Sequence, residues 1–285
     1  METVEHTKSS VLVLNAGSSS IKFAAYSATA SLDRLLQGEI EGIGTAPQFR
    51  ARDDQGLELS APLAIEANSS VHELIQDFLD WFEHYLGGRN IVAAGHRVVL
   101  GGLEHTAPVS IDAHVLGRLR ALIPLMPMHL PRNLEPIEAL YKLSPQVPQV
   151  ACFDTAFHRT MPEVAQLYGL PRKLTEEGAR RYGFHGLSYE YIASVLSEFD
   201  ERAAKGRTVV AHLGSGASMC AMVAGRSVAT TMGFSPLAGL GVGSRPGELG
   251  PGVLLGLRLG SGMEGKGVAS WLWEGGGGGG GCGGS

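Results

Sequence analysis

Short apolar runs bounded by glycine and serine alternate along the chain with stretches whose apolar positions repeat at helical spacing. Residues 11–14 and 21–26 read as two buried strands flanking the polar loop at 15–20, a hairpin. In SVHELIQDFLDWFEHYLGG, Val71, Leu74, Ile75, Phe78, Leu79, Phe82 and Leu86 fall on one helical face. Ser70 and Glu73 form a capping box at its start and Gly87 ends it. NIVAAGHRVV predicts a strand that carries Gly95, His96 and Arg97 near its end, and a helix is expected from beyond Asn133 through Tyr141. VPQVACFDTAFH predicts a further buried strand with Asp154 just past it, LSYEYIASVLSEF a helix, and TVVAHLG a strand.

The segment HLGSGASMCAMVAG repeats the strand, Gly/Ser turn and strand of NAGSSSIKFAAYS about 200 residues later. Two such hairpins suggest a duplicated domain, although two unrelated hairpins would look the same. Strands alternating with helices predict an α/β architecture of two domains. The expected limits are residues 1–155, residues 156–257, and a Gly-rich tail at 258–285. Of the 40 glycines, 14 lie in the last thirty residues, where neither helical nor alternating period is found. Such a stretch buries too little apolar surface to offset its ordering entropy and is expected to lie outside the fold.

Composition narrows the function classes. With 285 residues, 44% hydrophobic and 18% charged, the chain is long enough for two modest cores. A net charge of −5 argues against nucleic acid or an anionic membrane as partner. No apolar run reaches the ~18 residues of a membrane span. The N-terminal METVEHTKSS lacks the apolar centre of a secretory signal. Cys152, Cys220 and Cys282 are few and unpatterned, which fits a reducing cytoplasm.

Several residues suggest anion chemistry. The loop Asn15, Ala16, Gly17, Ser18, Ser19, Ser20, with Lys22 beyond it, offers small residues, hydroxyls and an ammonium for a phosphate. An ordinary polar hairpin turn would read the same way, and the Walker lysine pattern is absent. Arg97 in GHRVVLGG and Arg245 in GVGSRPGELGPG are flanked by glycine and apolar strands, and a guanidinium fork suits carboxylate or phosphoryl oxygens. His129, His185 and His212 lie in similar settings, without the spacing of a transition-metal site. Asp154 stands at the carboxyl end of its strand, where α/β sheets gather ligands.

Taken together, VLVLNAGSSSIKF, GHRVVLGG, PLMPMHLPRNLEPI, FDTAFHRTMP, RYGFHGLSYEYI, HLGSGAS and TTMGFSPLAGL with VGSRPGELGPGV resemble the acetate kinase family, in its order, across residues 9–257. The resemblance implies the duplicated, ribonuclease H-like fold of sugar kinases, actin and Hsp70. It implies reversible phosphoryl transfer from ATP to acetate, or to propionate, with magnesium or manganese, giving acetyl phosphate and ADP in the cytoplasm, by a homodimer. By the same resemblance Asn15 serves the metal and phosphate end, with Ser18, Ser20 and Lys22 in the phosphate-facing loop. Arg97 and Arg245 take the carboxylate and the transferring phosphoryl group, His129 and His185 surround the transition state, and Asp154 organises magnesium or the acyl carboxylate. His212, Gly214 and Gly216 match the second phosphate loop.

The chain departs from the family at Leu100, Leu130, Ser215, Pro246 and Glu248. The family's glycine-rich adenosine segment and late magnesium-binding glutamate are not found, and its pattern stops near Leu257. A shifted reading frame would give such a tail. A truncated, inactive fragment of marginal stability is therefore the competing expectation.

Overall fold

The computed structural model describes residues 9–17, 19–59, 69–260 and 265–275. Among them the chain divides into two compact units, residues 1–100 with 107–153, and residues 101–106 with 154–285. The short excursion at 101–106 belongs with the second unit because Gly101 N–H donates to Thr155 Oγ1 at 3.2 Å.

The first unit is built on one mixed sheet. Its strands are β1 (Ser9–Ala16), β2 (Ser20–Ser27), β3 (Arg34–Glu41), β4 (Gln48–Asp53), β5 (Glu58–Leu59), β6 (Asn90–Val98), β7 (Val109–Ser110) and β8 (Gln149–Phe153). They lie in the order β5-β4-β3-β2-β1-β6-β8-β7. β1, β6 and β8 run parallel at its centre. β1 and β2 form the expected hairpin, with Asn15 opposite Lys22. The sheet was only partly legible: β3, β4 and β5 carry charged residues on an exposed face, and their alternation is blurred. Those charges pair across strands, Lys22 with Glu39 at 3.9 Å and Arg52 with Glu58 at 3.0 Å. They also keep the open edge polar, which discourages edge-to-edge pairing.

Helices α1 (Val71–Tyr85), α2 (Ala113–Ala121) and α3 (Leu130–Leu143) complete this unit. α1 begins at the predicted capping box, with Ser70 Oγ accepting from Glu73 N–H and Glu73 Oε2 accepting from Ser70 N–H. Its apolar face delivers Phe78, Trp81 and Phe82 into an aromatic cluster, with Phe23 and Phe78 centroids 4.6 Å apart. α3 starts earlier than expected because Pro131 sits in its first turn, where the missing N–H has no intrahelical partner anyway.

The second unit holds α4 (Glu163–Gln166), α5 (Arg172–Glu176), α6 (Gly186–Phe199), α7 (Glu201–Lys205), and the antiparallel sheet β11-β10-β9, from β9 (Arg207–Leu213), β10 (Ala217–Val223) and β11 (Arg226–Thr230). Its small core joins Tyr189, Cys220 and Met222. Helix α8 (Pro251–Gly260) runs through the expected limit at Leu257, and α9 (Gly265–Ser270) and a π-helical turn at Trp271–Gly275 follow. Residues 258–260 and 265–275 are thus helical where no structure was expected. Helical hydrogen bonds are local, so VLLGLRL closes turns even while Leu255 and Leu259 stay exposed. The glycines after 275 and Cys282 lie outside the described residues. No helix among the described residues is long and apolar enough to cross a membrane.

Candidate active site

In the first unit the neighbouring parallel strands β1 and β6 bring Asn15 and Arg97 together. Val13 pairs with Gly95 and Leu14 with His96, so Asn15 and Arg97 come next and share the face of the sheet that α1 and α3 leave uncovered. Arg97 Nη1 donates to Asn15 Oδ1 at 3.2 Å. Lys22, the cross-strand partner of Asn15, sends its ammonium toward Glu39. The Gly17 N–H donates to Ser20 O at 2.7 Å. Ser18 lies outside the described residues. His129 is the half-buried residue before α3, and its side chain does not cap that helix.

Asn133 was not among the expected site residues. It is buried on α3, where its Oδ1 accepts from Val99 N–H at 2.9 Å and its Nδ2 donates to Ala16 O at 2.7 Å. One carboxamide therefore joins the chain just beyond Asn15 to the chain just beyond Arg97. The available signal was an asparagine on the apolar face of PRNLEPI, where a buried polar group must find partners. His96, the residue before Arg97, is also buried. Burial pushes its imidazole down to about 4, against the opposing help of the Gln149 side chain.

In the second unit His185, His212, Gly214, Gly216 and Arg245 come together. His185 precedes α6 in a left-handed backbone conformation, φ 60°. Its ring lies against the His212 ring, centroids 4.0 Å apart. His185 Nδ1 meets the buried Ser218 Oγ at 2.9 Å, and the Tyr189 hydroxyl meets the same oxygen. A chain in which Tyr189 O–H donates to Ser218 and Ser218 O–H donates to Nδ1 puts the ring hydrogen on Nε2. Burial pushes the Tyr189 phenol up, so it stays a donor. His212 Nδ1 is set by Ser188 Oγ at 3.0 Å.

Gly216 is the gap in this cluster. A Cβ there would lie 3.3 Å from Arg245 Nη2 and 3.4 Å from His185 Nε2. Two side-chain nitrogens thus converge on backbone with no side chain in the way. Arg245 is held by two neutral carbonyls, Ser215 O at 2.9 Å and Pro236 O at 3.3 Å, and stands over the Trp273 ring at 5.5 Å.

Asp154 is 3% exposed, and its carbonyl accepts from Gly186 N–H at 2.8 Å. Gly186 is obligatory, since a Cβ would fall 2.1 Å from that carbonyl. Behind it, His158 is fully buried, with Nε2 on Phe184 O and Nδ1 on Ser227 Oγ, each at 2.9 Å. The carbonyl can only accept, so Nε2 carries the hydrogen. Burial lowers the His158 pKa, while the Phe184 carbonyl and the Asp154 charge pull the other way.

Among the described residues no three His, Cys, Asp or Glu side chains form a metal cage. Magnesium does not need one, because it keeps water and substrate oxygens and takes one or two protein donors. The buried Asp154 carboxylate and Asn15 Oδ1, which accepts from Arg97 Nη1, are oxygen donors of that kind.

The model of the "Acetokinase family" matches residues 10–277. The chain is 51% identical over 249 residues to an acetate kinase of Rhodopseudomonas palustris, covering 86% of this chain and 62% of that protein. It is 47% identical to an acetate kinase of Rhizobium meliloti, covering 93% and 67%. Among solved structures, a propionate kinase from Francisella tularensis superposes with TM-score 0.84 at 35% identity, and Porphyromonas gingivalis acetate kinase with 0.78 at 34%. Each covers 93% of this chain, which spans 68% of theirs. The chain spans about two thirds of the length of the curated relatives it matches. Its α/β architecture is that of the sugar kinase, actin and Hsp70 type, and the chain belongs to the acetokinase family.

Proposed function

We propose that this chain transfers the γ-phosphoryl group of ATP to a small carboxylate, acetate first, and runs the reverse reaction. The observation that carries the reading is the convergence of Arg245 Nη2 and His185 Nε2 on the side-chain-free Gly216. An acetate oxygen bonds to the γ-phosphorus as the bond from that phosphorus to the bridging oxygen of ADP breaks. The products are acetyl phosphate and ADP, and no proton need move. The charge spread over the equatorial oxygens calls for fixed cationic donors rather than a base.

In this reading Arg245 and His185 hold the transferring phosphoryl oxygens, and His212, Gly214 and Gly216 serve the nucleotide phosphates. Arg97, held by Asn15, takes the carboxylate, with His129 as a further donor, and Ser18, Ser20 and Lys22 serve the phosphate oxygens. The family works with a divalent cation, which would neutralise phosphate charge when bound; Asn15 and Asp154 would be this chain's donors toward it.

Steady-state release of ADP from ATP with acetate tests the reading. Arg245→Ala is expected to lower kcat by about 10²- to 10³-fold, the usual cost of losing a transition-state donor. An unchanged rate would remove Arg245 from the mechanism. Propionate is the second reading, favoured by the likeness to the Francisella tularensis propionate kinase. A higher kcat/KM for propionate than for acetate would establish it.

A further inference from the structure

A second group of arginines in the same unit is short of counter-charge. Arg159 Nη1 and Arg180 Nη2 both donate to one oxygen, Gln166 Oε1, at 3.3 and 2.6 Å. Gln166 is 7% exposed, and its own Nε2 is tied to Met161 O at 2.6 Å, which fixes the orientation of the carboxamide. Two guanidinium groups thus share a neutral acceptor that cannot offset either charge. Arg159 Nε and Arg180 Nε are both buried and meet no acceptor among the described residues. Among the described residues no ion pair joins Arg159 or Arg180 to a carboxylate, and Glu177, the residue just after α5, pairs with Lys173 at 3.9 Å. Arg180 depresses the Arg159 guanidinium, after burial itself. The Tyr182 hydroxyl, 2% exposed as a residue, lies in the field of both cations. Arg181, next in the chain, lies over the Tyr168 ring at 5.5 Å and donates to Met232 O at 3.3 Å; Tyr168 also feels the Glu248 carboxylate, so Arg181 is not one of the uncompensated charges.

We propose that Arg159 and Arg180, with the Tyr182 hydroxyl, form an oxyanion site other than the Arg245 cradle, suited to a tetrahedral dianion of the phosphate class. Two guanidinium forks can present parallel N–H pairs to such a group, and a phenol adds a neutral donor. A planar monoanion would leave one cation uncompensated. The phosphoryl-transfer assignment uses none of these residues, so the site stands or falls separately from it.

Phosphate titration by calorimetry, with melts in phosphate and in chloride at equal ionic strength, tests the proposal. Arg245→Gln is expected to keep a phosphate site that Arg159→Gln and Arg180→Gln weaken at least tenfold. Sulfate should compete and acetate should not. In chloride, Arg159→Gln should melt no lower than the unaltered chain, because it relieves repulsion; in phosphate the order should invert. Arg180→Lys, which keeps the charge but loses the fork, should retain part of the affinity. Variants that melt lower in both salts, or fail to fold, would make these arginines structural and overturn the site. Equal phosphate affinity in all variants, its loss in Arg245→Gln, or an acetate effect as large as phosphate's would also overturn it.

Discussion

In the first unit Asn15 and Arg97 stand at the ends of strands whose other face is sealed by α1 and α3 over a continuous core. In the second, His185 and His212 stand on and beside a three-stranded sheet whose outer strand, β9, leaves Val209 and Leu213 66% and 75% exposed. The first set is positioned by packing, with one buried carboxamide, Asn133, tying the strand ends. The second is positioned by side-chain hydrogen bonds, through Ser218, Ser188 and two main-chain carbonyls, over a small core. The two candidate sets are therefore held by different forces, and the two regions should fail differently.

The largest expected effect lies in the packed unit. Phe78→Ala empties the aromatic cluster and should cost about 3–5 kcal/mol, read by chemical denaturation at the Trp81 indole. A loss below 1 kcal/mol would mean that this core does not hold the unit together. Next is His96. Its pKa is about 4 when folded and near 6.5 when unfolded, so the unfolded chain binds the extra proton as pH falls. Stability is full above pH 6.5 and should fall by ~3 kcal/mol between 6.5 and 4. His96→Leu should flatten that dependence; an unchanged slope would place the titration elsewhere.

Asn133→Leu comes third. It leaves Val99 N–H and Ala16 O buried without partners and should cost about 2–4 kcal/mol, measured by the same denaturation. The hydrogen-bonded unit gives the smaller stability effect. Ser218→Ala should cost only about 1 kcal/mol yet remove the Nδ1 contact of the His185 ring, visible as changed imidazole nitrogen shifts by NMR. Unchanged shifts in that variant would contradict the Tyr189–Ser218–His185 hydrogen-bonded chain. Smallest is Leu213→Lys on the open strand, within ~0.5 kcal/mol of neutral, with less self-association in sedimentation.

The same contrast explains what the sequence revealed. β1, β2, β6, β8, α1 and α6 announce themselves through apolar periodicity, a capping box or turn glycines. β3 to β5 do not, because their exposed faces carry paired charges and only one face is buried. Arg97, Arg245 and His185 were legible as anion-handling types in glycine-flanked positions. Ser218 and Asn133 were not, since their importance lies in which distant atoms they join: Ser218 reaches His185, 33 positions away, and Asn133 reaches Ala16, 117 away. The helices at 251–260 and 265–275 escaped notice because nothing about local turn formation requires a buried stripe.

The most direct test of the phosphoryl-transfer assignment follows the group itself. The purified chain is incubated with γ-labelled ATP, magnesium, acetate and hydroxylamine, and acetohydroxamate and labelled phosphate are measured for the unaltered chain and Arg245→Ala. Hydroxamate formed in step with ADP, and lost with Arg245, is the predicted result. A folded chain that makes no hydroxamate, or makes it equally well without Arg245, would contradict the assignment.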